Sequence, residues 1–219
     1  MELETLFTEQ KWNILKSLSE GKFSPLQLAQ RSSTTIANIS QQLRLLEAAE
    51  LVKKEKIQNR EKGKPRTLFS LSHDYVYLVS TMEDFAKKRL LELSDYHKII
   101  IRILFLENPE LHYYLAKFYW KIEDYLDQIQ MIIVVPNSEE IEVVIVSDKA
   151  KEIEKKISTV TIKRPDNKAK QIKIQGITKN ELIKLVKEGK GPFSSVKDLQ
   201  VIYDPTYIIA ELKKQKGGN

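Results

Sequence analysis

The chain contains no cysteine. That absence removes disulfides, thiolate metal sites and cysteine nucleophiles together, and it fits a reducing interior. No apolar run approaches the roughly 20 residues of a membrane-spanning helix. The opening MELETLFTEQ lacks the basic-then-apolar order of a secretory signal. A cytoplasmic protein with no membrane partner is expected. Histidine is scarce: His73, His97 and His112 stand alone, with no pair at i, i+4 or a similar ligand spacing. Neither a metal site nor a soft-metal effector is expected, and no cofactor. Internal repeats and low-complexity tracts are also missing.

What is present supports a packed protein. Hydrophobic residues make up 42% of 219, enough for one large domain or two small ones. Lys and Arg outnumber Asp and Glu by 36 to 30. A net charge of +6 is compatible with an anionic partner without requiring one, because the signs are mixed along most of the chain.

The pattern divides into residues 1–73, 74–128 and 129–211, with a flexible tail at 212–219. In the first part, Thr8 can cap a helix whose apolar positions Trp12, Leu15 and Leu18 share a face, with Gly21 at its stop. Ser24-Pro25 is a cap followed by proline at the first helical position, and a third helix starts near Thr34 or Thr35. The middle part reads as long helices over Val76–Leu93, Tyr96–Leu106 and Glu110–Gln128, with a break at Asn108-Pro109. Its aromatics (Tyr113, Tyr114, Phe118, Tyr119, Trp120, Tyr125) form a stripe suited to a core or a dimer interface. The last part turns to β. MIIVV and IEVVIV predict one hairpin, STVTIK and KQIKIQG a second, and LQVIYD a final short strand. Thr178 and Glu181 form a capping box for a helix that runs to about Glu188 and stops at Gly189. The fold class predicted is α+β.

The third helix and the segment beyond it carry the functional signal. Ile36, Ile39, Leu43 and Leu46 fall on one stripe at about 100° per residue. The opposite face holds Thr34, Ala37, Asn38, Gln41 and Arg44, with Gln42 on a flank and Leu45 near the end. Asn and Gln offer a donor and an acceptor together, which matches the major-groove edge of adenine; Arg matches guanine. Small side chains at Thr34 and Ala37 permit close approach to a duplex. Beyond this helix, Leu51–His73 carries seven positives (Lys53, Lys54, Lys56, Arg60, Lys62, Lys64, Arg66) against Glu55 and Glu61. LVKKEKI and RTLFSLS can pair as antiparallel strands, with Val52, Ile57, Leu68 and Leu71 as the apolar contacts. The tip QNREKGKP is suited to neutralising phosphates without reading sequence.

These segments resemble a known family. ILKSLSEG, SPLQLAQ, TTIANISQQLRLLEAAELV and GKPRTLFSLS, together about residues 7–73, look like the winged helix-turn-helix of ArsR/MarR-type transcriptional regulators. SQQLRLLEAAELV is similar to the family's Ser-x-His-Leu-x-x-Leu-x-x-Ala-Gly-Leu-Val run, except that Gln42 replaces the His and Glu50 the Gly. The second departure predicts a slightly different exit from the helix. The resemblance implies a homodimer on double-stranded DNA at a pseudo-palindromic operator, with two recognition helices about one DNA turn apart. It points to Thr34, Thr35, Ala37, Asn38, Gln41, Gln42 and Arg44 for the groove and Lys54, Arg60, Lys62, Lys64 and Arg66 for phosphates.

Residues 129–205 resemble, more loosely, the core of a minimal nucleotidyltransferase-like fold; a ferredoxin-like domain is the other topology the pattern allows. The Gly-Ser loop and Asp-x-Asp pair of active members are missing, Glu140 and Glu142 being the only nearby acidic i, i+2 pair. No catalytic residue is expected. The domain is assigned to regulation, by a small-molecule or protein effector, or to architecture. The alternatives to a regulator are a nucleotidyltransferase-like enzyme that holds nucleic acid on its winged helix, and a non-catalytic interaction adaptor.

Overall fold

The computed structural model describes residues 5, 7–57, 66–136, 140–189, 191–196 and 199–216. They form an α+β protein of two compact units, residues 1–92 and 93–219.

The first unit begins with α1 (Glu9–Leu18), α2 (Pro25–Arg31) and α3 (Ile36–Ala48). Local chemistry fixes each boundary. The Ser24 hydroxyl accepts from the Gln27 backbone N–H while the Gln27 side chain accepts from the Ser24 N–H, a complete capping box with Pro25 at the first helical position. Thr35 caps α3 by accepting from the Asn38 N–H at 3.2 Å. Between α2 and α3, Ser33 takes a left-handed φ of 48° and the Thr34 N–H closes back on the Ala29 carbonyl at 3.0 Å. This tight turn ends one helix and aims the next. A hairpin comes next, β1 (Val52–Ile57) against β2 (Arg66–Leu71), with Val52 opposite Leu71 and Ile57 opposite Arg66. Phe23 bridges to Phe69 through two backbone bonds and ties the α1–α2 connection to β2.

The core of this unit joins Ile14, Leu15 and Leu18 of α1, Leu28 of α2, Ile39, Leu43 and Leu46 of α3, and Leu51, Val52 and Phe69 of the hairpin. Three sequence expectations change here. Trp12 is 54% exposed, and Ile14 takes the inward position on α1. Ile36, at the first turn of α3, is 48% exposed. Ile57 and Leu68 lie on the face of the hairpin turned away from Val52, Phe69 and Leu71, so the four named contacts divide between two faces.

The helix expected over Val76–Leu93 is instead a second hairpin, β3 (Tyr75–Met82) and β4 (Phe85–Glu92), closed by Glu83-Asp84 with Asp84 at φ 62°. The run YVYLV is aromatic and branched, which suits a pleated strand better than a helix. Tyr75 and Leu90 anchor its base on the helical core, and burial pushes the Tyr75 hydroxyl up to about 12.

The second unit opens with α4 (Asp95–Leu104) and α5 (Glu110–Ile122), the latter running into a 3-10 turn over Glu123–Gln128. Then come β5 (Met131–Pro136), β6 (Ile141–Val146), α6 (Ala150–Ile157), β7 (Thr159–Lys163), β8 (Ala169–Ile177), α7 (Lys179–Glu188), β9 (Gln200–Tyr203) and α8 (Ile208–Lys216). The strands make one sheet ordered β7-β8-β6-β5-β9, antiparallel except for the β6–β8 pair. Alternation gives it two apolar faces. Ile132, Val134, Val143, Ile145 and Ile172 pack with Ile99, Tyr114, Leu115 and Phe118; Met131, Ile133, Val144 and Ile177 pack with Leu182, Val186, Ile208 and Leu212. Helices therefore cover both faces, unlike the one-sided antiparallel sheet of a ferredoxin-like domain. Of the aromatic stripe, Tyr114, Phe118 and Tyr119 are core, whereas Trp120 is exposed.

Of the flexible tail expected over 212–219, residues 212–216 are instead helical, and 217–219 lie outside the described residues. The Asp204 carboxylate accepts from the Ile208 and Ile209 N–H groups at 2.8 and 3.0 Å and starts α8, which buries Leu212 and continues to Lys216.

Gly176 of β8 packs closely against the start of α6. A Cβ there would lie 2.4 Å from the Ala150 carbonyl oxygen, in the backbone that opens α6. Replacing Gly176 by Ala is expected to destabilise the chain by about 1–3 kcal/mol, the usual range for overpacking. Urea unfolding measures this, and a loss within a few tenths of a kcal/mol would show that α6 is free to shift.

Candidate nucleic-acid interface

The geometry of α3 is set by which of its side chains are buried. Ile39, Leu43 and Leu46 face inward, and the helix period then turns Ala37, Gln41, Arg44, Leu45 and Ala48 to solvent. Ala37, Gln41 and Arg44 succeed one another along the exposed surface, and no acidic residue interrupts them. Among the described residues Arg44 has no ion-pair partner, and the Gln41 amide has no hydrogen bond within the chain.

Asn38 and Gln42 are placed differently. Both are half-buried on the flank that looks toward α1. The Asn38 amide nitrogen donates to the Thr34 hydroxyl at 3.1 Å, and the Gln42 amide nitrogen donates to the Asn38 amide oxygen at 3.3 Å. The three side chains form a ladder up the helix. They line a cleft of about 220 Å³ with Gln10 and Asn13 of α1 and with Ser32 and Ser33 of the turn. Thr35 is exposed, but its hydroxyl is engaged as the cap of α3. Of the seven groove residues expected from sequence, Ala37, Gln41 and Arg44 form a free outward surface; Thr34, Asn38 and Gln42 form a bonded row beside it. Gln10 and Asn13 are additions that the sequence pattern does not single out. Their signal is an amide pair at i, i+3 on α1, legible only once α1 is known to lie alongside α3.

The basic segment is partly tied to its own chain. Lys54 pairs with Glu47 of α3 at 2.9 Å, and Lys22 pairs with Glu55. The Lys22 ammonium holds the Glu55 carboxyl below the usual carboxylate range. Lys53 donates to the Ser72 carbonyl at 3.4 Å. Lys56 and Arg66 are exposed and have no ion-pair partner among the described residues. Arg60, Lys62 and Lys64 lie outside the described residues.

In the other unit, Glu140 forms an ion pair with Lys173, and Glu142 stands beside Lys173 in the parallel register. The Glu140 hydrogen bond and charge, and more weakly the Glu142 charge, hold the Lys173 ammonium above its ordinary range. Among the described residues no three His, Asp or Glu side chains gather where they could hold a metal ion. His97 Nδ1 is 2.7 Å from the Ser94 hydroxyl, and His112 Nε2 is 3.2 Å from the Leu106 carbonyl.

No protein-family model matches the chain, and comparison with curated protein sequences gives no significant match.

The exit from α3 bears on the departure at residue 50. Glu50 has φ 60°, its N–H reaches the Glu47 carbonyl at 2.9 Å, and the Leu51 N–H closes on Leu46 at 3.0 Å. The backbone thus takes the left-handed turn that a glycine would take, with a glutamate in its place. Replacing the exposed Glu50 by Gly is expected to stabilise the chain by about 1 kcal/mol, through relief of the left-handed cost. Thermal and urea unfolding check this; a destabilised variant would mean that the Glu50 side chain contributes more than its backbone strain removes.

Proposed function

We propose that the chain is a sequence-specific, DNA-binding transcriptional regulator that acts in the cytoplasm as a homodimer. In this reading α1–α3 with the β1–β2 hairpin form a winged helix-turn-helix. The observation that carries it is the outward surface Ala37–Gln41–Arg44, free of acidic residues and internal partners, followed in the chain by the basic Leu51–His73 segment. Gln41 is suited to the N6 and N7 edge of adenine and Arg44 to the O6 and N7 edge of guanine, while Ala37 leaves room for the backbone to approach. Asn38 and Gln42 act one step back. Their ladder to Thr34 braces the start of α3, and a duplex edge would have to displace these bonds to use their amides directly.

Lys56 and Arg66, together with Arg60, Lys62 and Lys64 of the tip, supply grip on phosphates. Lys54 joins them only by leaving Glu47. Such an exposed pair is worth about 0–1 kcal/mol, so a phosphate competes with it readily. The C-terminal unit is assigned a regulatory or architectural role. The carboxylates of Glu140 and Glu142 both serve Lys173, an arrangement that favours structure over nucleotide chemistry.

Fluorescence anisotropy on short duplexes tests the assignment. Gln41→Ala and Arg44→Ala should each lower preference for the bound sequence over random DNA by about 1–3 kcal/mol, with affinity for random DNA nearly unchanged for Gln41→Ala and lowered only by the loss of one cation for Arg44→Ala. Replacing Lys62, Lys64 and Arg66 together should weaken binding to every sequence and reduce the salt slope by about 0.9 for each phosphate no longer neutralised. Equal losses on specific and random DNA for Gln41→Ala and Arg44→Ala would contradict the reading role of α3.

A further inference from the structure

The β3–β4 hairpin serves neither the core beyond its base nor the proposed DNA surface. Its lower half is anchored: Tyr75 and Leu90 join the helical core, and Phe7 stacks on Tyr77 with ring centroids 5.3 Å apart. Its upper half carries apolar side chains into solvent on both faces. Val79 is 66% exposed on one; Leu78, Met82 and Phe85 are exposed on the other. Among the described residues the hairpin is a two-stranded sheet with no third strand. Two strands alone are marginal in water and need a neighbour.

The two edges differ chemically. β4 presents Lys87, Lys88 and Arg89 in succession, the pattern that keeps an edge strand from pairing. β3 has no charged residue from Tyr75 to Met82. The two-residue loop makes Met82 and Phe85 a hydrogen-bonded pair, so alternation turns the backbone groups of Val79 and Thr81 away from β4.

We propose that a second copy of this chain occupies this edge, β3 pairing antiparallel with β3 of the other copy to give one four-stranded sheet ordered β4-β3-β3-β4. Antiparallel pairing of a strand with itself is two-fold symmetric and closes, so it yields a dimer and no fibre. Pairing through β4 would set two rows of three cations against each other; pairing through β3 brings no charges together. Alternation then lays Met82 of each copy against Val76 or Leu78 of the other and covers the apolar face that the single hairpin leaves open. The inference is independent of DNA binding, although it supplies the two-fold axis which that reading calls for. It also moves dimerisation away from the helices of the 74–128 stretch, where the aromatic stripe of the sequence suggests it.

The cysteine-free chain makes the test direct. Sedimentation velocity of the full chain, without DNA, should show a dimer, and Ser80→Lys should convert it to a monomer with unchanged circular dichroism. Single cysteines at Leu78, Val79, Ser80 and Thr81 should give a disulfide-linked dimer under mild oxidation at the one or two positions next to the axis, where the Cα atoms meet disulfide geometry. Lys87→Cys on β4 should not. Should Ser80→Lys fail to fold, the cysteine series decides alone. A monomeric parent chain would overturn the inference and leave the hairpin to another partner. A dimer that survives Ser80→Lys and yields no β3 cross-link would overturn it equally, by locating the interface elsewhere.

Discussion

The rotation of α3 about its own axis is the constraint on which the rest depends. Ile39, Leu43 and Leu46 are almost wholly buried against α1, α2 and the hairpin. Burying each is worth roughly 1.5–3 kcal/mol, so together they hold the helix orientation with several kcal/mol. A single base contact contributes about 1–3 kcal/mol. The core therefore decides which side chains face outward, and a ligand cannot roll the helix to recruit others. The same stripe sets the exit. Leu46 and Leu51 are both buried at the left-handed turn through Glu50, which delivers the chain into β1 beside the helix.

Electrostatics works on this fixed frame at a smaller scale. Glu47 sits on α3 yet faces the hairpin, where Lys54 neutralises it, and Glu55 on the hairpin is neutralised by Lys22. These pairs leave Arg44, Lys56 and Arg66 without a partner among the described residues of the helix and hairpin, and Lys53 with only the Ser72 carbonyl. With Glu47 and Glu55 matched by local cations, the remaining positive charge is open to a polyanion, and it can grow by exchange because each exposed pair is weak.

Much of this is legible in the sequence wherever the signal is local. Ser24-Pro25, Thr35 and the Thr178–Glu181 box announce helix starts through bonds that span three residues, and all three helices begin there. The stripe Ile39–Leu43–Leu46 is legible because the helix period alone fixes it. Ile36 and Trp12 escape that arithmetic, since burial also needs a neighbour, and nothing in the sequence says which turn of a helix has one. Val76–Leu93 reads as helix because its apolar residues are dense enough to satisfy either period; the Glu83-Asp84 turn lacks the Asn-Gly signature that would decide for a hairpin. The start of α8 depends on Asp204, four residues upstream across Pro205, and α6 is pinned by close contact with Gly176 of β8. The parallel β6–β8 pair in an otherwise antiparallel sheet is long-range, so local pattern holds no record of it. In the candidate interface, Gln41 and Arg44 are where periodicity puts them, whereas Asn38 and Gln42 bond at i, i+4 spacing up to Thr34 on the flank of the cleft that α1 also lines.

The most direct test of the central claim is selection of duplexes bound by the full chain from a random-sequence pool. The account predicts enrichment of an inverted repeat whose half-sites lie about 10–10.5 base pairs apart or a multiple of that. A pool that returns no preferred sequence, or one enriched only for single-stranded or structured molecules, would contradict it.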